Sequence, residues 1–169
     1  DGTNFLDATP DTVLLTTIGD GTAGPSALGI TTVISIVGST TGGVTIQGGG
    51  ANSNLRAFYV ASTGSLSLQN LTVDGFRHKG GGSNRGGAAG MGGAIFNNGG
   101  TVALVSTTFT NNVAQGGGFG SFSDGGGGLG GNPNGNFGGG GPNPGGGDVN
   151  NGASGGFGGG GNAYGGNGG

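Results

Sequence analysis

Apolar and polar residues alternate in short runs along the first part of the chain. Serine separates Leu66 from Leu68, and threonine separates Leu71 from Val73 and Val44 from Ile46. A period of two belongs to a β-strand with one buried face. Residues 33–37, 44–46, 66–68, 71–73 and 102–109 are rich in Val, Ile, Leu, Thr and Phe and are bounded by Gly, Asn and Ser, which predicts strands there. No segment repeats apolar residues at three and four positions over three turns, so helix is not expected.

The runs repeat. Residues 65–74 superpose without a gap on residues 101–110, which sets Leu66, Leu68 and Val73 over Val102, Leu104 and Phe109. One step upstream, Ala57-Phe58-Tyr59-Val60 aligns with Ala94-Ile95-Phe96-Asn97. Ile34, Ile36, Val44 and Ile46 fit the same template, with residues 39–43 as extra length at a corner. Three rungs follow, at about 30–48, 57–76 and 94–112, each with about twenty residues and room for three short strands. Stacked rungs pair each strand with its copy at roughly 4.8 Å. The expected fold is all-β, a short right-handed parallel β-helix whose inward residues are Ile34, Ile36, Val44, Ile46, Leu66, Leu68, Leu71, Val73, Val102, Leu104 and Phe109. Asn70 and Ser106 share a corner, where a short polar side chain tolerates left-handed φ.

Residues 1–29 read as an N-terminal cap with one strand at 12–18, since an open first rung exposes unpaired edges. Residues 77–93 read as a glycine-rich loop and residues 113–169 as a glycine-rich segment, either loop or extended polyproline-II or polyglycine-II-like chain anchored by Phe119, Phe137 and Phe157. The sequence ends within a glycine tract and shows no leader peptide and no apolar run long enough to span a membrane, so a segment of a longer secreted protein is expected.

Composition sharpens this picture. Fifty-two of 169 residues are Gly and only 30% are hydrophobic, too little apolar side chain for a thick globular core. Stacked rungs need only a few apolar residues each. The net charge is −3, and the cations are Arg56, Arg77, Lys79 and Arg85, too few for nucleic acid to be an expected partner. There is no Cys, hence no disulfide and no thiolate metal site.

One charged cluster stands out: Asp74, Arg77, His78, Lys79 and Arg85. Polysaccharide-cleaving β-helices use basic side chains against a uronate, often with Ca²⁺, so Arg77, His78, Lys79 and Arg85 form the candidate ligand-contact cluster. A solvated loop is the plainer reading, because no second carboxylate stands by for general acid work. Asp124 and Asp148 lack the repeated frame of Ca²⁺-binding nonapeptides, residues 125–131 lack the ending of a phosphate loop, and His78 is the only His. No cofactor and no metal is expected. An ice-binding face would need a threonine ladder, of which only Thr72 and Thr108 stack in this register.

At Gly92-Gly93-Ala94-Ile95, followed by Phe109-Thr110-Asn111-Asn112, the chain resembles the GGAI and FxxN repeats of the polymorphic outer-membrane-protein and autotransporter-type β-helix superfamily, and it is similar to filamentous-haemagglutinin-like surface proteins. The resemblance covers about residues 30–115 and implies a right-handed β-helix on a bacterial surface. The expected function is that of a non-enzymatic extracellular structural or adhesive protein that associates with itself into a fibre or surface layer, or contacts glycans or host surfaces. A carbohydrate-binding or carbohydrate-cleaving β-helix is the alternative, and ice binding the third reading.

Overall fold

The computed structural model describes residues 10–82 and 87–118. Ten strands build it: β1 Asp11–Leu14, β2 Ser26–Ile30, β3 Val33–Val37, β4 Val44–Gln47, β5 Arg56–Val60, β6 Ser65–Asp74, β7 Arg77–Lys79, β8 Ile95–Asn97, β9 Thr101–Thr110 and β10 Val113–Gln115. A single 3-10 turn, Gly50–Asn52, is the one helical element among the described residues. All ladders between these strands are parallel and join one rung to the next: β2-β5-β8, β7-β10, and a larger sheet in which β6 pairs with β3, β4 and β9, and β4 with β1. The chain is a β-solenoid.

The register follows the alternation. Leu66 lies opposite Val102, Leu68 opposite Leu104 and Val73 opposite Phe109, while Ile34, Ile36 and Ile46 pair with Leu66, Leu68 and Val73. Phe58 pairs with Ile95 and Tyr59 with Phe96. From the second rung to the third one circuit takes 36 residues along β6 and β9, as the contact of Thr110 with Asp74 shows, and 37 along β5 and β8. From the first to the second it takes between 27 and 32 residues, because the corners differ in length.

β6 turns a corner without losing a pair. Asn70 has φ 53°, and Ser106, one rung on, has φ 47°. A single left-handed residue shifts the alternation by one, so that Leu66 and Leu68 before it and Leu71 and Val73 after it all face inward, each at most 4% exposed. Every such burial contributes about 1.5–3 kcal/mol. The first rung makes the same corner with residues 38–43 in place of one, and Gly38 donates to the Gln69 carbonyl at 2.8 Å to keep the ladder closed across the excursion.

The core is Ile30, Val44, Ile46, Ala57, Phe58, Val60, Leu66, Leu68, Leu71, Val73, Phe76 and Ala94, with Ile36 and Val102 partly buried against it. Three residues expected in the core are solvent-exposed to a third or more: Ile34 at 38%, Leu104 at 49% and Phe109 at 38%. Their register is inward, but Ile34 is in the first rung and the other two in the last, and no described strand lies over them.

The element boundaries also need correction. The rungs extend beyond 30–48, 57–76 and 94–112: β2 begins the first at Ser26, inside what reads as a cap, and β7 and β10 close the second and third. Arg77–Lys79 is therefore strand rather than the start of a loop, and Val113–Gln115 is strand rather than the start of the glycine-rich segment. Neither run carries the alternation of large apolar residues by which the other strands were found. The cap strand is shorter than 12–18: β1 ends at Leu14, and Ile18 is 51% exposed.

Candidate functional site

Strand geometry divides the charged cluster. Within β7, His78 faces inward and is fully buried, whereas Arg77 and Lys79 point the other way, Arg77 half-buried and Lys79 exposed. Arg77 Nη2 donates to Gln115 Oε1 of the strand above, and the Lys79 backbone is clasped by Asn54, whose Oδ1 accepts from Lys79 N at 2.7 Å. Arg85 lies outside the described residues. Arg77, His78 and Lys79 thus form no common ligand-contact face, because a period of two sends neighbours to opposite sides.

The chemistry-bearing residue that alternation alone does not single out is Arg56. It is fully buried at the start of β5, and its donors are spent on backbone carbonyls and one hydroxyl. Nε and Nη2 donate to Met91 O at 3.2 and 2.8 Å and Nε to Gly92 O at 3.0 Å, while Nη1 donates to Ser26 Oγ at 2.8 Å and both Nη atoms to Ala23 O at 3.2 Å. The guanidinium also lies 5.1 Å from the centre of the Phe96 ring. One side chain so ties the first rung to the third. Burial lowers its pKa to about 10, which leaves it charged at neutral pH. The signal in the sequence is a lone Arg inside the apolar run Leu55-Arg56-Ala57-Phe58-Tyr59-Val60.

His78 lies close enough to feel this charge. Its Nδ1 accepts from Met91 N at 3.2 Å and its Nε2 is buried without a protein partner. Burial, with the Arg56 charge adding to it, pushes its pKa down to about 4, so the ring is neutral.

The two motif segments have structural work. In the first, Gly92 has φ 62° and its carbonyl receives Arg56, while Ala94 is buried at 7%. In the second, the Asn112 side chain bridges to the rung below: Nδ2 donates to Val73 O at 2.8 Å, and Oδ1 accepts from Phe76 N at 3.0 Å. Asp74 receives Thr110 Oγ1 at 2.7 Å, Asn111 Nδ2 at 2.8 Å and Gln47 Nε2 at 3.4 Å. Those bonds, the one from Thr110 foremost, hold its carboxyl below the ordinary value.

Polar surface for a ligand remains at the corner. An open groove of about 300 Å³ runs along the corner, lined by Ser39, Thr40, Asn70, Thr72, Ser106 and Thr108 with Gly43, Val44 and Leu71. It carries hydroxyl and amide groups and no charge. Two of its residues belong to a column, Thr12, Thr45, Thr72 and Thr108, that runs through four strands and is two members longer than the sequence reading gave, because β1 and β4 fall in line with β6. The next outward column, Leu14, Gln47, Asp74 and Thr110, breaks any broader threonine face.

Glycine-rich chain packs at the far side. Gly80 N donates to Gln115 O, Ala88 N to Gly81 O, and Gly117 N to Ala88 O, at 2.8–2.9 Å. A Cβ on Gly117 would run into the Gly81 carbonyl, so these three segments approach closer than any side chain permits. The polyglycine-like reading of residues 119–169, with Phe119, Phe137 and Phe157, lies outside the described residues.

No family model, no curated protein and no solved structure matches this chain. The site is therefore argued from its residues. Among the described residues no group of three or more His, Cys, Asp or Glu could hold a metal ion, and no helix is long and apolar enough to cross a membrane.

Proposed function

We propose that the chain is a non-enzymatic extracellular structural or adhesive protein of bacterial-surface type, and that it acts by associating with itself into a fibre or surface layer. The observation that carries this reading is the use made of its polar groups. Arg56, His78, Asp74 and Asn112 are all engaged in holding one rung to another. Leu104, Val105 and Phe109 are exposed on a sheet edge over which no described strand lies, and such an edge accepts a further layer. Electron microscopy and sedimentation of the purified chain over a range of concentrations test it. Ordered assemblies that grow with concentration support the reading, and a monomer at every concentration removes it.

The corner groove favours a second reading, glycan binding. Its hydroxyl and amide lining suits a neutral saccharide rather than a uronate, which would need Arg77 or Lys79. Binding of neutral oligosaccharides that Thr72→Val abolishes and Lys79→Ala leaves intact would favour it over the structural role.

A further inference from the structure

Among the described residues no strand covers the outer edge of β9, and that edge has a symmetry that suggests its own partner. Thr101 N donates downward to Gly64 O, and Thr110 O accepts from Gly75 N, also below. Strand alternation, reset by the left-handed Ser106, then turns the backbone groups of Val102, Leu104, Thr107 and Phe109 toward the open edge. The same four residues face inward, being in register with Leu66, Leu68, Leu71 and Val73. Their spacing reads the same in both directions. A twofold axis passing between Val105 and Ser106 sets Val102 against Phe109 and Leu104 against Thr107 of a second copy. All four positions then exchange backbone hydrogen bonds, and all four side chains stay on the inner face. The axis exchanges the two arms of the bend, so the corner at Ser106 is kept. β9 carries no charged residue, so nothing repels its copy.

We infer that two copies of this chain pair antiparallel through β9, closing the open ends of two solenoids into an isologous dimer. The inference rests on the self-association proposed above and gives it a geometry. The chain's own later sequence is a poor substitute: one circuit on from Val102, Leu104, Thr107 and Phe109 stand Gly138, Gly140, Asn143 and Gly145, none of them apolar. Head-to-tail stacking fits less well, because among the described residues β4 is the one first-rung strand with another, β1, beneath it, which leaves a step at that end. A fibre would then have to grow from dimers through another surface.

The chain has no Cys, so single cysteines report contacts cleanly. Ala103 and Thr108 are exposed and face each other across the axis, whereas two copies of Ala103 would be separated by five residues of bent strand, a contour of about 17 Å. Full-length Ala103→Cys and Thr108→Cys should give a disulfide-linked dimer on mild oxidation when mixed, and little when each is oxidised alone. Sedimentation of the unmodified chain should show a species of twice 15.6 kDa. In head-to-tail stacking Ala103 would continue the column of Ser35 and Ser67. Cross-linking of Ala103→Cys with Ser35→Cys would therefore overturn the isologous arrangement and leave self-association standing. Absence of both cross-links with a monomeric chain overturns both.

Discussion

Arg56 and His78, both fully buried, meet at the backbone of one residue: the Met91 carbonyl accepts from the Arg56 guanidinium, and the Met91 N–H donates to His78 Nδ1. A segment that returns from the glycine-rich excursion to the solenoid is thereby pinned at two atoms. The neutral ring and the charged guanidinium are compatible only while His78 stays unprotonated.

Stability should therefore depend on pH. The folded pKa of His78 is about 4, against 6.5 for the free side chain, so the unfolded chain binds the extra proton between those values. The stabilisation is complete above pH 6.5 and is lost as pH falls to 4, in all about 3 kcal/mol by the size of the shift. Urea titrations at a series of pH values should show this slope, and His78→Leu should flatten it. Asp74, also held low, adds a loss of the same sign at lower pH.

Asn112 should matter more than a surface residue. Asn112→Ala leaves the Val73 carbonyl and the Phe76 N–H without their partner and should cost about 2–3 kcal/mol. Asn112→Asp should be no better, since a carboxylate cannot donate to Val73 O. Urea unfolding of both variants measures this.

At the corner, backbone conformation rather than side-chain bonding decides. Asn70→Gly should change stability by a few tenths of a kcal/mol, whereas Asn70→Val forces a β-branched residue to φ 53° and should cost about 1–2 kcal/mol. Comparing the two melting midpoints separates conformation from contact.

Leu68 is fully buried between Ile36 and Leu104. Leu68→Ala should cost about 2–5 kcal/mol, and Leu68→Asp should abolish the cooperative transition, because a buried unpaired charge is far costlier. Leu104→Ala, at the exposed end of the same column, should cost much less in a monomer.

The stacking of rungs was legible because the period of two survives in Leu66, Leu68, Leu71 and Val73 and returns in Val102, Leu104 and Phe109. Asn70 was legible as a corner because few residues accept left-handed φ. The closing strand of the second and third rungs was not legible: Arg77-His78-Lys79 has one inward side chain, and that one is polar. Arg56 was hidden for the opposite reason, since charge alone says surface, and its burial rests on the carbonyls of Ala23, Met91 and Gly92 and the Ser26 hydroxyl, all distant in sequence. Exposure at Leu104 and Phe109 could not be read either, because alternation marks a face and says nothing of whether a further strand lies over it.

The corner between β3 and β4 has a practical consequence. The first rung spends residues 38–43 where the second and third spend Asn70 and Ser106, yet Val37 still meets Gln69 and Thr45 still meets Thr72. Chain length at this point is thus uncoupled from register. A foreign peptide spliced beside Asn70 or Ser106 would be carried outward one or two layers from the native excursion, which makes this edge of the molecule a natural place for grafting and for the gain or loss of residues during divergence.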